Sequence, residues 1–183
     1  MMNYCLTFVF SILFLMSCSV IDKDAQKIFS ERIEPFEVTV YPVHIVISEA
    51  TISDTTLQRE LVQFLNTSGL ASAVASTMDV DIPFEWGANQ AKMYRRSAEA
   101  FAGAVELEKL ATPYALLIET LSIGVENNMG GVHFYLVDRS GKVVAGTLSN
   151  SHWEEFKSIS PKDRKAGMQV AYSLLKALTI ETP

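Results

Sequence analysis

The sequence predicts a mixed α/β domain: a single mixed sheet packed against about three helices, in the order β-α-β-α-β-β-β-α. Three observations predict it. Phe36, Val38 and Val40 alternate with Glu37, Thr39 and Tyr41; Tyr114 to Ile123 is a nearly continuous apolar run; and amphipathic stripes at helical spacing lie between and after these segments. The apolar residues of such a sheet need layers to bury them. The 183 residues are 49% apolar and 20% charged, which leaves room for one domain and excludes a disordered or collagen-like chain. Fifteen Lys and Arg against 21 Asp and Glu give a net charge of -6, so no basic field draws nucleic acid, and none is expected as a partner.

The chain begins with an address. Leu6 to Met16 carries no charge, a length that fits the h-region of an export signal, about 7 to 15 residues, and falls short of the roughly 20 a spanning helix needs. Counting from Tyr4 to Ile21 gives eighteen residues, so an uncleaved anchor stays open. Leu15-Met16-Ser17-Cys18 resembles the lipobox of bacterial lipoproteins. It departs from that pattern in the bulk of Met16 and in having no Lys or Arg ahead of the apolar run. The resemblance implies a signal peptide over 1–17, lipid on Cys18 and, from Ser19 in second place, the periplasmic face of the outer membrane. Cys5 and Cys18 are the only cysteines, so the folded part has no disulfide framework, Cys-ligated zinc or thiol nucleophile. Residues 18–34, rich in charge, are expected to be a lipidated tether with one helical turn. The sixteen residues from Ser19 to Glu34 reach at most about 50 Å when extended, enough to hold the domain, 35–183, clear of the lipid.

The first strand, from Phe36, meets Pro42, which cannot donate to a ladder; it either ends there or runs on to Ile47 past a bulge or along an edge. Thr55 and Gln58 have capping-box spacing, and Leu57, Leu61, Phe64 and Leu65 form a helical stripe that Asn66 to Gly69 stops. Leu70 to Ser76 is a weak strand, poor in β-branched residues. Thr77 to Gly87 is a loop bearing Asp79, Asp81, Phe84 and Trp86. A long helix follows from about Asn89 to Leu110, with Tyr94, Ala98, Phe101 and Val105 on one stripe and with alanines and Gly103 suggesting close packing. Thr112-Pro113 ends it. Tyr114 to Ile123 is a central strand buried on both faces. Val132 to Val137 and Lys142 to Leu148 form a hairpin closed by Asp138-Arg139-Ser140-Gly141. Ser160, Pro161 and Asp163, at N-cap, N1 and N3, open the last helix, to about Leu178.

In element order, the strand ending at Pro42, the two helices, the Tyr114 to Ile123 strand and the Asp138 to Val144 hairpin resemble the group built on the amino-terminal domain of TolB. That group includes the curli-secretion lipoprotein CsgG and the penicillin-binding-protein activator LpoB. The resemblance implies an envelope adaptor that contacts other proteins and carries no catalytic residues.

Little in the chain suggests chemistry. His44, His133 and His152 have no second His or Cys at zinc-motif spacing. Asp79-x-Asp81 lacks the further ligands and glycine of a calcium loop. Adjacent Glu154 and Glu155 give no sign of the separation that acid and base need. No nucleophile elbow, phosphate loop or H-E-x-x-H occurs. Phe84 and Trp86 on one loop, and Trp153 and Phe156 on another, are the candidate partner contacts, because large aromatics anchor interfaces. The expectation is a non-enzymatic lipid-anchored module of the envelope that needs no cofactor. It touches the membrane through Cys18 and binds another envelope protein in transport, secretion or wall synthesis. Two alternatives remain: a metal-assisted hydrolase built on Asp79, Asp81 and a histidine brought close by folding, and an oligomeric secretion-channel subunit, which leaves a homo-oligomer open.

Overall fold

The computed structural model describes residues 20–32, 35–47, 50–83, 89–123, 128–150, 152–160 and 163–180. Its elements are α1 (Lys23–Ser30), β1 (Phe36–Val40), β2 (Val43–Ile47), β3 (Ala50–Asp54), α2 (Thr55–Ser68), β4 (Ala71–Ala75), α3 (Gln90–Leu107), β5 (Tyr114–Ile123), β6 (Asn128–Asp138), β7 (Val143–Asn150), α4 (Glu154–Ile159) and α5 (Arg164–Ile180). The seven strands form one mixed sheet.

β5 is its central strand. Along one edge lie β1 and then β2, end to end and both parallel to it, with Val38 to Val40 beside Tyr114 to Leu116 and His44 to Ile47 beside Glu119 to Ser122. Pro42 falls between them, so the expected interruption divides one line of chain into two strands. Each takes its own outer neighbour: β4 runs parallel to β1, and β3 runs antiparallel to β2. Along the other edge, β6 and β7 follow antiparallel, each pairing with a register shift.

Helices cover both faces. Val38, Val40, Ile45, Leu116, Ile118, Phe134 and Leu136 pack toward α1, α2, α4 and α5. Tyr41, Ala115, Leu117, Tyr135 and Val137 pack toward α3 through Ala98, Phe101 and Val105, three of the four stripe residues that the helical spacing predicts.

Several elements differ from expectation. Residues 20–32, expected in a tether with one helical turn, form α1 and pack onto the domain. Asp22 caps α1 by accepting from the amides of Asp24 and Ala25, and its own N–H donates to the Val143 carbonyl at 2.9 Å. Phe29, i+4 from Ala25, buries its ring edge-on to Phe36 and Tyr114 at 5.3 and 5.2 Å. The Arg32 guanidinium closes over it, 3.6 Å from the ring centroid. Such cation–π contacts and edge-on rings hold a short helix that propensity alone would not.

The cap of α2 is Asp54, which accepts from Thr56 and Leu57. Gln58, the expected capping-box partner, is buried and donates instead to the carbonyls of Val40 and Ser76, where β1 and β4 end. Gly69, at φ 70°, terminates the helix in the left-handed region. A Cβ at Gly103 would meet nothing within 4 Å, so that glycine does not mark the expected close approach. Before the last helix stands the additional α4. Ser160 is its left-handed C-cap rather than the N-cap of α5. Asp163 caps α5 through its Oδ1, which accepts from Ala166, and its carbonyl, which accepts from Gly167.

Candidate functional site

On the face beneath α3 the strand register brings four polar side chains into one row. Ser53 on β3 pairs with His44 on β2, His44 with Glu119 on β5, and Glu119 with His133 on β6. Residues opposite one another in neighbouring strands share a face, so this line of polar groups crosses four strands of an otherwise apolar surface. Glu119, His44 and His133 are all buried.

A buried carboxylate survives only with donors, and Glu119 has several. The Tyr135 hydroxyl donates to its Oε2 at 2.6 Å, and His133 Nδ1 lies 3.2 Å from the same oxygen. Ser97, from α3, adds a hydroxyl. Burial pushes the carboxyl upward, but His133, Tyr135 and Ser97 outweigh it and hold the group below its ordinary value. The same arrangement raises the Tyr135 phenol, first through burial and then through the negative neighbour. Tyr94 stacks on Tyr135 at 5.0 Å and meets His133 edge-on at 5.5 Å. Its buried hydroxyl and His133 Nε2 find no hydrogen-bond partner among the described residues. With Glu119 2% exposed and His133 fully covered, nothing reaches this cluster from solvent while α3 stays in place. It can order the sheet.

At the open end of the row, Asp79 bridges Ser53 and His44, with His44 Nε2 at 2.9 Å from Oδ1. Burial raises the Asp79 carboxyl, but Ser53, His44 and the Val80 amide together bring it below its ordinary value. Folding therefore does bring Asp79 to a histidine, as the hydrolase alternative requires. Asp81, however, is exposed between buried Val80 and Ile82. No group of three or more His, Cys, Asp or Glu side chains able to hold a metal ion occurs among the described residues.

Two of the candidate contact residues, Trp153 and Phe156, lie just before and in α4. Trp153 is 46% exposed, whereas Phe156, one turn along α4, is 5% exposed and belongs to the core. Phe84 and Trp86 lie outside the described residues, as does Cys18. The chain emerges from that loop at Asn89, the N-cap of α3. Its next residue, Gln90, donates to the Gly130 carbonyl and accepts from Asn150 Nδ2. Asn150 in turn leads to Trp153, whose N–H donates to the Asn150 carbonyl. A Cβ at Gly131 would lie 2.4 Å from Gln90 Nε2, at the end of its side chain, and 3.0 Å from the Ser149 carbonyl. The roots of the two aromatic loops are therefore joined by hydrogen bonds. Sequence spacing could not show this, because Gln90 and Asn150 are 60 residues apart.

Glu119 and His133 were missed as a pair, although one signal was available. A glutamate inside a strand buried on both faces must have a partner, and the facing strand carries the histidine.

No family model matches the chain, and no curated protein does. Among solved structures it is similar to two of PelC from Paraburkholderia phytofirmans, both described as dodecamers. A leucine-to-methionine variant aligns at 17% identity and TM-score 0.36, covering 80% of this chain and 89% of that one. A second PelC structure aligns at 19% identity and TM-score 0.34, covering 78% and 85%.

Proposed function

We propose that this is a non-catalytic, lipid-anchored protein of the cell envelope, held at the periplasmic face of the outer membrane through Cys18, whose domain binds another protein at the sheet end that carries Trp153. The observation that supports it best is the junction of Gln90 with Gly130 and Asn150. It ties the start of α3 to the end of β7, from which the chain leads into the Trp153 turn. Trp153 is exposed beside a buried Phe156, the disposition of an interface anchor set on a rigid base. The lipobox-like Leu15 to Cys18 supplies the address. Among the described residues no helix is long and apolar enough to cross a membrane.

Two measurements test this reading. Labelled fatty acid enters the wild-type chain and is lost in Cys18→Ala; equal labelling of the two removes the anchor. A photoreactive amino acid in place of Trp153 gives a discrete cross-linked species in intact envelopes, and the same group in place of exposed Glu60 does not. The mass of that species separates a second copy of this chain from a different protein. Identical smears from both positions would remove the binding role.

A further inference from the structure

Resting on that reading, we infer that the domain does not stand off from the membrane: the end of the sheet formed by the β6–β7 turn and the last turn of α3 lies directly on the phospholipid headgroups. The chain's own path carries this. Val20 and Ile21 already pack against the α3 side of the core. Asp22 is fixed to β7 through the Val143 carbonyl at 2.9 Å and lies 3.6 Å from the Lys142 ammonium. Only two residue steps separate Val20 from Cys18, a span of at most about 7 Å. An acyl group on Cys18 therefore enters the bilayer beside the β6–β7 turn.

The surface at this end suits a headgroup layer. Leu107, at the last turn of α3, is 88% exposed, and Ile28, on the outward side of α1, is 69% exposed. The turn reaches α3 closely: a Cβ at Gly141, φ 80°, would lie 3.0 Å from the Ala102 carbonyl and from Glu106 Cβ. Between α1 and the turn is a hollow of about 300 Å³ lined by Ile28, Arg139 and Lys142 and also by Asp24 and Asp138. A lining with both signs of charge around an apolar wall matches a zwitterionic headgroup, whose phosphate and ammonium need opposite partners, better than a purely anionic one. The Trp153 end lies away from it by the length of α3, whose 18 residues span about 27 Å. The anchor and the partner-binding end are thus opposite poles of one rigid sheet.

The test uses the lipidated chain in phosphatidylethanolamine–phosphatidylcholine vesicles containing a nickel-chelating lipid. Spin labels are placed at Ser140→Cys or His152→Cys. Nickel in the headgroup plane should enhance relaxation severalfold more at position 140 than at 152. A glycine-serine insertion between Ser19 and Val20 should shrink that difference while vesicle flotation persists. Equal enhancement at both positions with flotation intact would overturn the headgroup contact and leave the anchor standing. Failure to float would overturn the anchor reading and this inference with it.

Discussion

The two faces of the sheet use the same strands for different ends. On β5, Leu116 and Ile118 point to the side covered by α1, α2 and α5, while Leu117 and Glu119 point to the side covered by α3. On β6, Phe134 and Leu136 face the first side, and His133 and Tyr135 the second. The first side is held by area removed from water and by ring contacts such as Phe64 stacked on Tyr172 at 4.1 Å. The second includes a network whose members must all be present. Apolar packing tolerates local change in proportion to volume, whereas a buried polar network fails when one partner is lost. The helix over the polar row, α3, also carries at its N-terminus the residue that joins the two loop roots.

The largest effect should come from the apolar side. Phe134→Ala removes a fully buried ring and should cost about 3–5 kcal/mol. Urea denaturation should show this loss unchanged between pH 4 and pH 7, because the buried cluster Phe134 belongs to is apolar. Equal losses at both pH values, set beside a pH-dependent loss from the other face, would sharpen the contrast; a pH-dependent loss here would break it.

Glu119→Gln should cost less at neutral pH, about 1–3 kcal/mol, since the shape stays and only the charge behind three donors is lost. Its mark is in the pH profile. The folded carboxyl lies below its ordinary value of 4.5, so its contribution is fully present above that value and fades as pH falls through the folded one. The wild type should therefore lose stability on acidification more steeply than the variant, measured as urea midpoints from pH 6 to pH 3. Parallel curves would show that the polar row does not differ electrostatically from its apolar counterpart.

Asp54→Ala removes the cap of α2 and should cost about 1 kcal/mol, visible as a small fall in thermal midpoint. Trp153→Ala should change stability by no more than about 0.5 kcal/mol, because the side chain is 46% exposed and belongs to neither apolar cluster of the core. Any loss of partner cross-linking in that variant is then a loss of contact rather than of folding.

Local pattern made part of this architecture legible. β5 was visible because both of its sides are covered, which leaves an almost unbroken apolar run. The α3 stripe was visible because 3.6-residue spacing survives over about three turns, from Tyr94 to Val105. β3 was not, since Ala50 to Asp54 is mostly exposed and owes its extended form to the ladder with β2 rather than to alternation. The docking of α1 was hidden because two buried residues, Ala25 and Phe29, sit among six charged or amide side chains from Asp22 to Glu31. The polar row escaped for another reason: its members come from positions 44, 53, 119 and 133, and only strand register, a tertiary quantity, sets them opposite one another. Of the proposed contact residues, aromatic character pointed equally to Trp153 and Phe156. Only the direction of α4 separates the exposed ring from the buried one.

Pro42 has a consequence for topology. Because an imino nitrogen offers no proton at that point, the chain leaves the β5 ladder after Val40 and rejoins it at His44. That release divides the line of chain beside the ten-residue β5 into two strands, each with its own outer neighbour: β4, parallel to β1, and β3, antiparallel to β2. One ring-shaped side chain thus gives the sheet's border two directions of travel, and a border whose direction changes midway offers an approaching strand no long uniform track to join.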